Sequence, residues 1–289
     1  MKIVKILGGL GNQMFQYALY ISLKHKCNGE TVKIDTSCFR GYPLHNGYEL
    51  ERVFNVKPKH ANWYDLLRLA YPYCHYRMWQ IGKRLLPKRH TMLTEKDNEE
   101  YDASVMDVTG DCYYDGYWQN EKYFIEVKEQ LYEVFTPKVI DARNASFAKE
   151  LSSCNSVSLH VRRGDYNKHP LFGGICDETY YNNAIKKMQS YIDVDVYCVF
   201  SNDIVWCKEN LPKIIGNKAI RYVDWNTGTN SYMDIYLMSH CRHNIIANSS
   251  FSWWGAWLNR SKDQIVISPK KWNNIKGSKF EIPEKWQRL

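Results

Sequence analysis

What would carry this chain across a bilayer is missing. Its most apolar stretch, residues 235–258, is broken by His240, Arg242, His243 and several Asn and Ser. Nor is there a secretory leader: the N-terminus runs from Lys2 straight into a strand-like segment with no small-residue cleavage site, so the expected location is the cytoplasm. Zinc spacing is lacking too. Nine Cys, an odd number, are scattered without a C-x-x-C pair, which suits reduced, mostly buried thiols in a reducing compartment. No internal repeat, low-complexity tract, H-E-x-x-H, Walker A or Ser-His-Asp order is present, so hydrolase and NTPase readings have no support.

The first thing the sequence does offer is a glycine-rich loop. Residues 1–20, MKIVKILGGLGNQMFQYALY, read as a strand, a tight turn and a helix. Glycine lets backbone approach a phosphate closely while helix N-terminal amides point outward. A dinucleotide fingerprint wants a third glycine, and Gly9-Leu10-Gly11 is followed instead by Asn12, Gln13 and Met14. Asp35, ending the next expected strand at 31–35, keeps a dinucleotide reading open. A turn with no ligand is the simpler alternative.

At 289 residues the chain has room for one large α/β domain or two smaller ones. It is rich in rings, with 22 Tyr and 10 Trp, which commonly pack cores and sometimes stack on sugars or bases. The charge is +8, and residues 57–93 hold eight Lys or Arg against Asp65 alone. That segment interleaves basic residues with aromatics and with leucines at helical spacing. It reads either as a solvated helical face or as a surface for anionic partners such as lipid headgroups or an acidic glycan; no motif supports nucleic acid.

The second half alternates regularly. Strands are expected at 156–161, 194–200, 219–223, 244–247 and 264–267, and helices at 178–191, 204–211, 232–241 and 252–258, after a first-half helix at 127–135. This is the pattern of βαβ units and a parallel sheet, whose ligands bind beyond the carboxyl ends of the strands. Polar clusters follow three of those ends: His160, Arg162, Arg163 and Asp165; Ser201, Asn202 and Asp203; Asn248, Ser249 and Ser250.

In an extended segment His160 and Arg162 share a side and Arg163 turns away. Arg binds two phosphate oxygens at once and is always charged. Asn248-Ser249-Ser250 ahead of a helix adds amide and hydroxyl donors at the favourable end of the helix dipole. These are the parts of a nucleoside diphosphate site that needs no metal, although paired arginines also serve as structural ion pairs. R-G-D at 163–165 matches an adhesion tripeptide, a chance match in a cytoplasmic chain. Asp193-Val194-Asp195 is a D-x-D of the kind that holds Mg²⁺ or Mn²⁺ against a sugar nucleotide. It precedes its strand, which puts it at the wrong end of the sheet.

G-G-L-G-N-Q-M-F-Q-Y-A at 8–18, H-V-R-R-G-D-Y at 160–166, S-N-D-I-V-W-C at 201–207 and N-S-S-F-S-W-W-G-A-W-L at 248–258 together resemble the α-1,2-fucosyltransferase family. The resemblance implies a GT-B fold, α/β, with two Rossmann-like domains facing across a cleft, here expected at 1–150 and 151–289. It implies transfer of L-fucose from GDP-β-L-fucose, with inversion and without metal, to the 2-OH of a glycan. Terminal β-galactose, on an oligosaccharide or a lipid-linked glycan, is the default acceptor. By the same resemblance His160 contacts guanosine, Arg162 the diphosphate, Asp234 the guanine edge and Ser250 a phosphate. Gly9 and Gly11 let backbone approach the diphosphate, and Asn12 faces the reacting fucose. Ser201, Asn248 and Ser249 complete the donor set, and Asp165 is a candidate base. Acceptor specificity is expected from the first half and the loop 168–177. Peripheral contact with the inner face of a membrane through 57–93 would fit a lipid-linked acceptor. The rival readings are a dinucleotide-dependent oxidoreductase and a non-catalytic glycan-binding module.

Overall fold

The computed structural model describes residues 1–27, 29–73, 75–164, 166 and 169–289. Two compact units emerge, Met1–Lys138 with Lys279–Glu281, and Val139–Ser278 with Ile282–Leu289. The division falls earlier than 150 because Ala142–Ser152, a helix capped by Asp141, packs on the second unit.

Unit 1 runs β1 (Lys2–Lys5), α1 (Leu10–Lys26), β2 (Val32–Asp35), α2 (Leu50–Val53), α3 (Trp63–Leu69), α4 (Tyr76–Leu85), β3 (Met92–Thr94), β4 (Cys112–Asp115) and α5 (Lys128–Val134). Its strands pair in parallel in the order β2-β1-β4-β3. Strands β1 and β4 therefore lie side by side at the centre of the sheet, with the loops that follow their carboxyl ends as neighbours. Helix α1 is buried almost all round from Leu10 to Leu23. The basic aromatic segment resolves into two short helices, α3 and α4: α3 closes at its C-cap Ala70, shortly before Pro72, and His75 caps a new helix.

Unit 2 continues with α6 (Ala142–Ser152), β5 (Ser156–Val161), α7 (Glu178–Tyr191), β6 (Val196–Ser201), α8 (Ile204–Ile215), β7 (Ala219–Val223), α9 (Tyr232–His240), β8 (His243–Ile245), α10 (Ser250–Trp257), β9 (Val266–Ser268) and β10 (Gln287–Arg288). The described strands are parallel in the order β10-β9-β8-β5-β6-β7. This is a doubly wound sheet whose order reverses between β5 and β8. Strand β5 is buried along its whole length, as expected with helices on both faces. Val157, Leu159 and Val161 pack toward α7 and α8 with Tyr181, Ile185 and Leu211. On the other face Asn244 Nδ2 donates to Ser158 Oγ at 2.7 Å. Helix α8 runs past 211, through Pro212, and ends at Gly216. Among the described residues no helix is long and apolar enough to cross a membrane.

The α/β expectation is met in both units. Asp35, which kept a dinucleotide reading open, is buried and occupied: it accepts from Tyr113 Oη at 2.6 Å and from Ser37 N at 2.9 Å.

Candidate active site

The sheet of unit 2 brings two of its polar clusters to either side of its reversal point. His160 is the last but one residue of β5, and its even position turns it to the face away from α7 and α8, where its ring lies 6.1 Å from Phe251 of α10. It is 5% exposed, and its Nδ1 has no hydrogen-bond partner among the described residues. Burial, reinforced by the Arg162 charge, pushes its pKa down to about 3, so the imidazole is neutral at any working pH. A buried neutral ring with an unsatisfied nitrogen can take a hydrogen bond from a ligand without carrying charge.

Arg162 follows the strand. Its N–H donates to Tyr181 Oη at 3.3 Å, and its guanidinium lies 5.0 Å from the Tyr166 ring. Arg163 faces the opposite way, as alternation demands. Its guanidinium stacks 4.0 Å over Trp206 of α8, and its Nε is 3.5 Å from Asp203. Asn202 fastens the turn by accepting from Arg163 N at 3.0 Å and donating to Arg163 O at 3.1 Å. Gly164 sits at φ +58, and a Cβ there would stand 3.0 Å from Asn202 Nδ2, so the turn requires glycine. Asp165, the candidate base, lies outside the described residues, as do Asn167 and Lys168 of the following loop.

Across the reversal point, β8 leads into 246–249 and helix α10, which starts two residues earlier than the expected 252. Ser249 caps it, accepting from Phe251 N at 3.3 Å, and Ser250, partly exposed, is its first residue. Asn248 is buried and spends its amide inward on Phe172 O at 3.2 Å and Trp272 O at 3.1 Å. It braces the loops that flank the site. Ser201, at the end of β6, accepts from Asp203 N at 2.9 Å and so shapes the start of α8. The tryptophans of the 248–258 block are core: Trp253 and Trp254 are buried and stack among Trp257 and Trp286.

Asp234 projects from the first turn of α9. One oxygen accepts from Asn226 Nδ2 at 2.9 Å, and Asn226 pairs in turn with Asn144 at 2.9 and 3.1 Å. Burial outweighs that hydrogen bond and raises the carboxyl to about 7. Nothing in the sequence pattern joined Asn144 and Asn226 to Asp234; tertiary contact alone does so.

The D-x-D residues lie at the other end of the sheet. Asp195 accepts from Asn155 N at 2.8 Å and Asp193 pairs with Lys218, beside an open depression of about 490 Å³.

In unit 1 the carboxyl ends of β1 and β4 carry the glycine loop and the segment 116–119. The residue that must take a left-handed backbone is Gly8, at φ +97, where a Cβ would stand 2.9 Å from Asn12 Nδ2. Gly9 is the N-cap of α1 and Gly11 lies buried in its first turn. Gln119 Nε2 donates to Asn12 Oδ1 at 2.7 Å. Two buried glutamines fasten the loop: Gln13 donates to Gly8 O at 2.9 Å and accepts from Glu49 N at 2.9 Å, and Gln16 donates to Gly116 O at 2.9 Å. Glu95 accepts from Tyr117 N at 2.7 Å and Trp118 N at 2.8 Å, and burial raises its carboxyl. Gln13 and Gln16 were detectable as polar residues inside an otherwise apolar helical run. Glu95 and Gln119 carried no such signal.

With this geometry in place, similarity to known proteins is specific. Residues 89–287 match the family model described as glycosyl transferase family 11. An α-1,2-colitosyltransferase of Escherichia coli is 34% identical, over 99% of this chain and 98% of that protein. The O-antigen biosynthesis glycosyltransferase WbnK of Escherichia coli is 31% identical over 92% of each chain. The mouse galactoside α-(1,2)-fucosyltransferase 2 is 23% identical over 88% of this chain and 67% of its own length. A solved structure, POFUT1 in its apo form, aligns over 92% of this chain and 97% of that one at 12% identity, with a TM-score of 0.45.

Proposed function

The chain belongs to glycosyl transferase family 11, and from that premise we propose that it moves L-fucose from GDP-β-L-fucose to the 2-OH of a glycan, terminal β-galactose being the first acceptor to try. The observation that carries the reading is the pairing of His160 and Arg162 with Ser249 and Ser250 on either side of the β5/β8 reversal point. That is where a parallel sheet binds a nucleotide.

In this reading the neutral His160 and the Asp234 carboxylate recognise the guanosine part, while Arg162, Ser250 and the start of α10 hold the diphosphate. The backbone at Gly9 and Gly11 and the side chain of Asn12 serve the reacting end. The acceptor oxygen attacks the anomeric carbon from the face opposite GDP, so a carbon–oxygen bond forms as the bond to the β-phosphate breaks, with inversion. The hydroxyl proton passes to a base, for which Asp165 is our candidate. Negative charge grows on the leaving phosphate, so donors aimed there act more strongly in the transition state than in the ground state. The phosphate charge is met by Arg162 and helix amides, and the reaction proceeds without a metal. We place the protein in the cytoplasm, and an acceptor carried on a lipid would bring it to a bilayer surface.

A second donor is favoured by a specific likeness, the 34% identity to a protein named as a colitosyltransferase. Colitose is the 3-deoxy counterpart of fucose, so one guanosine diphosphate site serves either sugar. Hydrolysis and transfer with GDP-fucose, GDP-colitose and a UDP-sugar, each with EDTA, test the reading. Turnover of a GDP-sugar in EDTA supports it; strict metal dependence or preference for the UDP-sugar sinks it.

A further inference from the structure

Helix α4 has its apolar side on the wrong face for a core. At 3.6 residues per turn Met78, Ile81 and Leu85 fall in one row, and they are 52%, 58% and 76% exposed. The helix is held from elsewhere: Gly82 is buried against Tyr73, and Lys5 Nζ lies 3.7 Å from the Trp79 ring. Arg77 and Arg84, seven residues apart, share the flank beside the apolar row, with Lys83 and Lys88 nearby.

From Arg68 to Arg89 the six basic residues divide into two sets. Arg68 pairs with Asp111 at 2.6 Å, and Arg89 donates to Leu67 O at 2.6 Å and Ala70 O at 2.7 Å, so both serve the fold. Arg77, Lys83, Arg84 and Lys88 are exposed and have no carboxylate partner among the described residues. The same Arg89 contacts, with Tyr71 Oη donating to Pro87 O at 2.7 Å, tie the exit of α4 to α3, which exposes Trp63 and Tyr64.

An exposed row of large apolar side chains flanked by unpaired cations and bordered by exposed aromatic rings matches one environment, the headgroup region of an anionic bilayer. We infer that the outer face of α4, with the exposed rings of α3, is a docking surface for anionic lipid.

The test is co-sedimentation of the full chain, without donor or acceptor, with vesicles of phosphatidylcholine alone and of phosphatidylcholine mixed with phosphatidylglycerol. The protein partitions to the anionic vesicles and is released by added salt. Replacing Arg77 and Arg84 together by Gln lowers the partition coefficient roughly 30-fold, at about fivefold for each cation near the surface. Replacing Ile81 and Leu85 together by Asp abolishes it, while the circular dichroism spectrum and transfer to a soluble acceptor stay as in the parent. Equal partition to neutral and anionic vesicles, no partition at all, or variants that partition like the parent would overturn the inference. So would a dimer of the parent chain that the Asp variant dissociates, since the face would then belong to a second copy.

Discussion

Gln119 Nε2 and Asn12 Oδ1 lie 2.7 Å apart, and that contact fixes which way the Asn12 amide points: its oxygen toward Gln119, its nitrogen toward Gly8. The side chain assigned to the reacting sugar is thus oriented before any ligand arrives. Asn12→Ala should keep the affinity for GDP and lose transfer by roughly 100-fold, the effect of removing one oriented donor from a transition state. Gln119→Ala should lower kcat by a smaller factor, with the KM for donor unchanged. GDP titration beside steady-state rates decides, and a parallel loss of GDP affinity in Asn12→Ala would remove Asn12 from the reacting end.

Adjacent arginines should behave in opposite ways. Arg162→Ala is expected to lower kcat/KM by roughly 100-fold or more with the Tm little changed. Arg163 stacks on Trp206 and pairs with Asp203, so Arg163→Ala should cost about 1 kcal/mol of stability and leave kcat/KM near the parent value. Thermal melts and kinetics on both variants test the assignment. An inactive but stable Arg163→Ala would reverse the two roles.

If Asp234 recognises guanine as proposed, its raised carboxyl should make donor binding sensitive to pH. A guanine edge presents N–H donors, so it binds the carboxylate and not the acid. With the carboxyl near 7 in the free protein, GDP affinity should fall up to tenfold for each pH unit below 7. Asp234→Asn should bind GDP more weakly and lose that slope, while the phosphate's own ionisation affects both proteins alike. Equal slopes in calorimetric titrations from pH 5 to 8 would take Asp234 out of guanine recognition.

His160 and Asp234 also pull stability in opposite directions. His160 is neutral when folded down to about 3, whereas an unfolded histidine protonates near 6.5. Its contribution is therefore present above 6.5 and lost as pH falls toward 3. Asp234 holds its proton when folded up to about 7, and an unfolded aspartate releases it near 3.9, so its contribution is present below that value and lost as pH rises toward 7. In the parent the two slopes should largely cancel between pH 4 and 6.5. Asp234→Asn should expose the acid lability that His160 brings, seen as a Tm that falls more steeply with acid than the parent's.

How much of this could be read from the sequence depended on whether the signal was local. Strands at 156–161 and 219–223 and the helix at 178–191 were legible to the residue, because capping aspartate and apolar spacing coincide at Asp177 and along β5. The clusters at 160–163 and 248–250 were legible because each closes or follows an apolar run that reads as a strand. Strand β10, two residues long, carries no periodicity and passed unseen. Gly8, hidden behind the more familiar Gly9 and Gly11, needed a backbone angle to be singled out. Asn248 looked like a ligand donor by its place before a helix, yet its amide is turned inward by the chain at 172 and 272, which no local pattern could indicate.

Trp253, Trp254 and Trp257 are all but fully buried in the helix that begins at Ser250, with rings 5.0 to 5.9 Å apart. Indoles so close couple their optical transitions, and that coupling survives only while the packing does. The helix to which we assign the phosphate end of the site therefore carries its own optical label. The near-ultraviolet dichroism of the unmodified protein should report whether that end is in order, at any pH or temperature and in any variant.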